Sequence, residues 1–272
     1  MCIRDRHKDV LDLADVLRGA KGGAFGQVHA RTYVDEQVTV DAIRKAKDFL
    51  RDSKIDDTVV LFVAGHGTHA RDAAAEFYYV THDTDVHNLA KTAANFALVE
   101  SLLQDIAPRR KLFLMDTCES GERDDDVGVH STGAGQRGLR TRGLFLDTTP
   151  SATGTSPARP YLAANRDRYI YNDLLRRSGA IVLSSSRGNE VSFERDDIKN
   201  GVFTEEILKA LVSDVADRDK DGVVTTDELR EYLAGAVAAS TTDKQHPVVD
   251  RDNLDARFGL PIVRAAAAIV TR

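Results

Sequence analysis

Cysteine is scarce here: in 272 residues only Cys2 and Cys118 carry a thiol. Two cysteines cannot build a disulfide framework, so they disclose no redox compartment. Long apolar runs are missing as well, and none approaches the roughly 18 residues that a membrane span requires. A basic excess is also lacking. The formal net charge is -6, which argues against nonspecific binding to nucleic acid, because that depends on clustered Lys and Arg. No internal repeat is visible, and the opening residues MCIRDR contain no apolar core of the kind a signal peptide needs.

What is present suits a globular protein. Hydrophobic residues make up 42% and charged residues 29%, enough to bury one large α/β core, or one domain with a small appendage. KDVLDLADVLRGAKGG (8–23) sets Val10, Leu13 and Leu17 on one side and predicts an amphipathic helix ending at Gly22-Gly23. QVHARTYVDE (27–36) alternates as a strand does. TVDAIRKAKDFLRDS (39–53) has a threonine cap and apolar Ile43, Ala46, Phe49 and Leu50, the pattern of a helix. DTVVLFVAGHG (57–67), KLFLMDTC (111–118) and AIVLSSS (180–186) read as strands buried on both faces of a parallel sheet. EFYYVTHDTD (76–85) predicts a short strand running into a polar turn. Helices are expected over 95–108, 167–179, 201–216 and 226–240. Residues 119–166, rich in Gly, Ser, Thr, Arg and Asp, exceed an ordinary connection and predict a mobile or functional loop. Apolar strands alternating with helices argue for a mostly parallel sheet covered on both faces. In such sheets reactive groups collect at the carboxyl ends of the strands.

Two of those ends carry chemistry. His66 follows VVLFVAG and is flanked by Gly65 and Gly67; Cys118 follows LFLMDT, just before Ser120-Gly121. A thiol becomes a useful nucleophile when it is ionised, exposed and beside a base. The glycines let backbone approach a substrate, and the amides of Gly67 and Cys118 could donate to an oxyanion. Singly, these residues read as a buried thiol and a turn histidine. Together, at successive strand ends, they read as a catalytic pair. His69, His82 and His87 lie in polar sequence without the glycine setting and are expected at the surface.

LFVAGHG and LFLMDTCESG, with Cys118 standing 52 residues after His66, resemble the caspase and metacaspase superfamily of cysteine peptidases, particularly its bacterial caspase-like members. DLADVLRG resembles the family's first helix and YYVTHDTD the segment after its histidine. LSSSRGNEVSFE and NGVFTEEILKAL resemble its late strand and the helix that follows, so the likeness spans most of residues 8–240. It implies a caspase-like three-layer α/β sandwich with a mostly parallel central sheet flanked by helices. It further implies a cysteine endopeptidase acting on protein or peptide substrates through His66 and Cys118, with no cofactor needed for the chemistry. In metacaspase-like relatives the acid matching Asp116 recognises Arg or Lys before the scissile bond, and a carboxylate pairs naturally with a guanidinium. The alternative is that Asp116 only bonds turn amides. Asp83 and Asp85 are weaker candidates to border that pocket.

The chain departs from the family pattern in three places. Glu119 stands where metacaspases usually have histidine, and a carboxylate beside a thiolate raises the thiol pKa. Gly188 falls where they often carry another pocket acid. The family fold opens with a buried strand before its first helix, and the sequence here has none. MCIRDR is therefore expected to be a non-native leader, and the missing strand to leave a gap lined by unpaired backbone groups. The chain as written is expected to be poorly stable; a sharp, cooperative melt of the pure monomer would count against that. The location leans cytoplasmic, although a lost N-terminus would have carried any signal peptide. In the long loop, Arg137, Arg140 and Arg142 are candidate sites of self-cleavage, or simply solvated charge.

DRDKDGVVTTDE (217–228) fits the calcium-binding EF-hand loop at each diagnostic position. Asp217, Asp219 and Asp221 supply side-chain oxygens, Gly222 the sharp turn and Val223 a carbonyl. Thr225 can hold a water and Glu228 can close the site with both oxygens. Carboxylates this close repel one another unless a cation neutralises them, so Ca2+ is the expected ion. The plain alternative is a turn whose acids are solvated or cap the next helix.

The expected organisation is a leader (1–6), a catalytic domain (7–212) containing the 119–166 loop, a helix-loop-helix (203–240) packed on it, and a C-terminal tail (241–272). The competing functional reading is a catalytically weak or silent caspase-fold module that binds partners or senses calcium. Oligomeric state is not legible in the sequence.

Overall fold

The computed structural model of the protein describes residues 7–21, 25–69, 76–117, 139–141, 178–187, 190–195, 200–249 and 257–263. The chain enters through helices α1 (His7–Gly19) and α2 (Val40–Arg51), the latter capped by the Thr39 side chain, which accepts from the Ala42 amide. Strand β1 (Thr58–Gly65) leads directly into β2 (Gly67–His69), β3 (Phe77–Tyr79), the short helix α3 (Leu89–Thr92), β4 (Ala94–Asn95) and α4 (Phe96–Glu100). Next come β5 (Arg110–Thr117), β6 (Leu139–Thr141), β7 (Ile181–Ser184) and β8 (Phe193–Arg195). Helix α5 (Val202–Val212), β9 (Val223–Thr225), helix α6 (Thr226–Ser240), β10 (Val248–Val249) and β11 (Gly259–Pro261) complete the order.

The three apolar runs form the parallel strands β1, β5 and β7, adjacent in that order, with β10 antiparallel at the far side. In β5 every residue from Lys111 to Thr117 is buried, and the pleat divides its side chains. Leu112 and Leu114 join Leu13, Ile181, Leu183, Phe203, Ile207, Leu229 and Leu233 in a core under α1, α5 and α6. Phe113 and Met115 join Phe77, Tyr79, Phe96, Val99 and Val182 in a second core on the other face. This is the expected three-layer arrangement. Burying each of these side chains contributes about 1.5–3 kcal/mol, so the double-sided burial of β5 fixes its position firmly.

β1 is different. It stands at the edge of the four-stranded sheet among the described residues, and Val60, Leu61, Phe62 and Val63 are only half-buried despite being as apolar as β5. The strand expected over 27–36 does not form. Residues 27–34 have no ladder, and a 3-10 turn follows at Asp35–Gln37. Alternation supplies the right faces, but an extended chain becomes a strand only when a neighbour takes up its N–H and C=O groups.

Other expectations shift in detail. The helix expected over 95–108 stops at Glu100 and continues as turns to Asp105. The expected helix over 167–179 and most of the 119–166 loop lie outside the described residues; within that loop, Leu139–Thr141 form β6 and pair with β8. Residues 241–272, expected as a tail, supply β10 to the main sheet and β11 to β9. Short apolar segments such as Gly259-Leu260-Pro261 carry too little periodicity to announce a strand, and tertiary pairing decides them.

A buried carboxylate ties α5 to α6. Glu206 is 4% exposed and accepts from Lys209 Nζ at 2.9 Å, Tyr232 Oη at 2.7 Å and Ser240 Oγ at 3.1 Å. Burial pushes its carboxyl up, but those hydrogen bonds and the Lys209 charge outweigh burial and hold it below its ordinary value. A carboxyl depressed in the fold contributes stability above its unfolded pKa of about 4.3, and loses it as pH falls through the folded value. The loss of urea resistance between about pH 5 and pH 3 should therefore be smaller in Glu206→Gln than in the parent chain. Identical losses in the two would show that Glu206 does not carry the effect.

Candidate active site

β1 and β5 run side by side in continuous register from Thr58↔Arg110 to Gly65↔Thr117. The residue that follows Gly65 is His66, and the residue that follows Thr117 is Cys118. Cys118 lies outside the described residues; His66 is half-buried at the carboxyl end of β1. There the chain leaves the parallel sheet through Gly65-His66-Gly67 and enters the antiparallel β2–β3–β4 sheet. A side chain at Gly65 would meet open space, so backbone is accessible there.

The β2–β3 ladder decides what the Gly67 amide does. The His66 carbonyl accepts from the Val80 N–H at 2.9 Å, and Gly67 is opposite Tyr79. Hydrogen-bonded and non-hydrogen-bonded pairs alternate along an antiparallel ladder. The Gly67–Tyr79 pair is thus the non-hydrogen-bonded kind, which leaves the Gly67 N–H out of this ladder and turned away from β3.

On the β5 side, the peptide that precedes Cys118 is anchored by residues the sequence reading did not single out. The Thr117 carbonyl accepts from Ser185 Oγ at 3.0 Å and from Ser192 Oγ at 3.3 Å, and the two hydroxyls are 2.5 Å apart. Gln245 braces the same corner: its Nε2 donates to the Ser185 carbonyl at 2.9 Å, while its Oε1 accepts from the Phe193 amide at 2.8 Å. All four residues, Thr117 included, are fully buried. The serine run at the end of AIVLSSS was the available signal, since polar residues at the tip of a buried strand need partners. Gln245 gave none. With Cys118 as a candidate nucleophile, Ser185→Ala is expected to lower kcat about tenfold with KM little changed, because small misplacements of a reacting group are costly, and Ser185→Thr should restore much of it. Unchanged steady-state kinetics in Ser185→Ala would remove this positioning role.

Asp116 is 0% exposed, and its Oδ2 accepts from Thr204 Oγ1 on α5 at 2.6 Å. The expected pocket acid is thus closed off from solvent and bridged to a helix. Asp83 and Asp85 are exposed and serve their own turns: Asp83 Oδ1 accepts from Thr81 Oγ1, and Asp85 Oδ1 from the His87 amide. His82 and His87 are exposed, as expected, whereas His69 lies in β2 rather than in a loop. Glu119, Arg137, Arg142 and Gly188 lie outside the described residues. Arg140 lies in β6, opposite Glu194, so cleavage after it would require that pairing to open.

In the acidic loop, carboxylate oxygens of Asp217, Asp219 and Asp221 lie within 4.8 Å of one another. Glu228 is not in that group. Thr225 Oγ1 accepts from the Glu228 amide, and the Glu228 carboxylate accepts from the Thr225 amide and from the Arg218 amide. Thr225 and one Glu228 oxygen form the capping box of α6, while the other Glu228 oxygen accepts from the Arg218 amide inside the acidic loop.

A parallel α/β sheet with helices on both faces, ending in His66 beside the strand that leads to Cys118, defines the class of protein. The chain belongs to the caspase-domain family of peptidases, C14, whose description matches residues 3–258. Among solved structures it is similar to that of protein GSU0716 from Geobacter sulfurreducens, with a TM-score of 0.51 and 17% identity over 94% of this chain and 84% of that chain; this is a likeness of fold. No curated protein matches the chain. The family is one of peptidases, which makes protein the general substrate class. No helix among the described residues is long and apolar enough to cross a membrane.

Proposed function

We propose that the protein is a cysteine endopeptidase that cuts after Arg or Lys, with Cys118 as nucleophile and His66 as its base. The observation that carries this reading is the register of β1 and β5, whose final pair, Gly65↔Thr117, immediately precedes the two reactive residues. His66 takes the thiol proton, and the Cys118 sulfur attacks the scissile carbonyl carbon. The oxyanion that develops is met by the amides of Gly67 and Cys118. The imidazolium then protonates the departing amine, leaving a thioester. Water, deprotonated by His66, hydrolyses the thioester and restores the thiol. Asp116, buried at the end of β5, supplies the negative charge that favours an Arg or Lys side chain before the cut.

Labelling tests the reading. An arginyl chloromethyl ketone should alkylate the chain at Cys118 and stop peptide cleavage, with Cys118→Ala left unlabelled. Equal labelling of the alanine variant, or cleavage that survives full labelling, would overturn it.

A further inference from the structure

We infer that the loop from Asp217 to Val223 is a calcium site, built separately from the peptidase centre. Three aspartates alone would not establish this, since exposed acids are common without an ion. The decisive observation concerns Asp217. Only 6% of it is exposed, and its Oδ2 accepts from the Gly222 amide at 2.9 Å. Its Oδ1 is buried and has no hydrogen-bond partner among the described residues, and Asp217 is one of the three residues whose carboxylates each offer an oxygen within 4.8 Å of the others. A buried carboxylate oxygen without a donor is costly to keep, and a cation held between Asp217, Asp219 and Asp221 satisfies it.

The surroundings suit calcium. Asp219 Oδ1 accepts from the Asp221 amide at 3.2 Å, and Asp221 Oδ1 from the Val223 amide at 2.7 Å. Each of these two carboxylates therefore has an oxygen outside those bonds. Lys220 and Gly222 have positive φ, 62° and 86°, so the chain curls around the acids. The loop is also clamped from behind. Val224 pairs with Leu260, and Gly222 O accepts from the Ile262 amide at 3.0 Å. In this way β11 supplies the short antiparallel partner that a second loop provides in paired EF-hands. Hard carboxylate oxygens in a pliable loop favour calcium over magnesium, which demands a tighter octahedron. With Glu228 retained on its cap, the affinity expected is that of weak sites, a Kd of roughly 10⁻⁴–10⁻³ M.

The test uses the full chain and calcium itself. Titration calorimetry should give a saturable heat for one ion. Millimolar calcium should also raise the melting temperature by about 3 °C or more relative to EDTA, because an ion that binds only the folded state stabilises it. Asp219 and Asp221 are exposed, so Asp219→Ala and Asp221→Ala should melt like the parent in EDTA and lose both calcium responses. Asp217→Ala is less informative, because it also removes the acceptor of the Gly222 amide. Absence of saturable heat up to about ten times the expected Kd, equal responses in the Asp219→Ala chain, or an equal response to magnesium would overturn the proposal. These readouts involve no peptide cleavage, so their outcome is independent of the peptidase reading.

Discussion

Cys118→Ala is expected to lower kcat/KM on an arginyl peptide amide by at least about 10³-fold, and His66→Ala by a comparable factor. In the proposed mechanism neither residue works alone. A thiol without a base stays largely protonated at neutral pH, since its ordinary pKa is about 8.5. A base without the thiol has nothing to activate. The double variant should therefore be little worse than either single one, because residues that act as a unit are strongly non-additive. Losses that multiply, or a His66→Ala chain within about tenfold of the parent, would show that His66 is not the partner.

The second large effect concerns specificity. Peptides with Arg or Lys before the scissile bond should be cut at least about 100-fold faster than the same peptide with Asp, since a buried charge left unpaired or opposed costs several kcal/mol. Asp116 has a structural bond as well, to Thr204 at 2.6 Å, so two variants are needed to separate its tasks. Thr204→Val removes the bond and keeps the charge; Asp116→Asn removes the charge and keeps an acceptor. If Asp116 reads the substrate, only Asp116→Asn erodes the preference for Arg and Lys. If its burial against α5 is its whole role, the two variants lose stability alike and the preference is unchanged. Preference for Asp-containing peptides would refute the assignment outright.

The site was legible in the sequence to the extent that it depends on strand ends. VVLFVAG and LFLMDT are apolar on both faces, which marks buried parallel strands, and the residues just beyond them are the proposed pair, His66 and Cys118. The two-core division of β5, with Leu112 and Leu114 opposite Phe113 and Met115, follows from the same pattern. What escaped was set by tertiary pairing. Residues 27–34 alternate like a strand but have no ladder, while Gly259–Pro261 do not alternate and pair with β9. The Ser185, Ser192 and Gln245 bonds around the Thr117 carbonyl and the corner behind it join residues 68, 75 and 60 positions apart. No local spacing could announce them. The three aspartates of the acidic loop do come together, while the Glu228 carboxylate accepts from the Thr225 amide at the start of α6 and from the Arg218 amide within the loop.

The most direct test is the rate of Cys118 alkylation by iodoacetamide as a function of pH, in the parent chain and in His66→Ala. An imidazolium beside the sulfur should hold the thiol below its ordinary pKa, so the parent should react readily at neutral pH and the variant only as pH rises toward 8.5 or above. Superimposable profiles would contradict the pairing of His66 with Cys118.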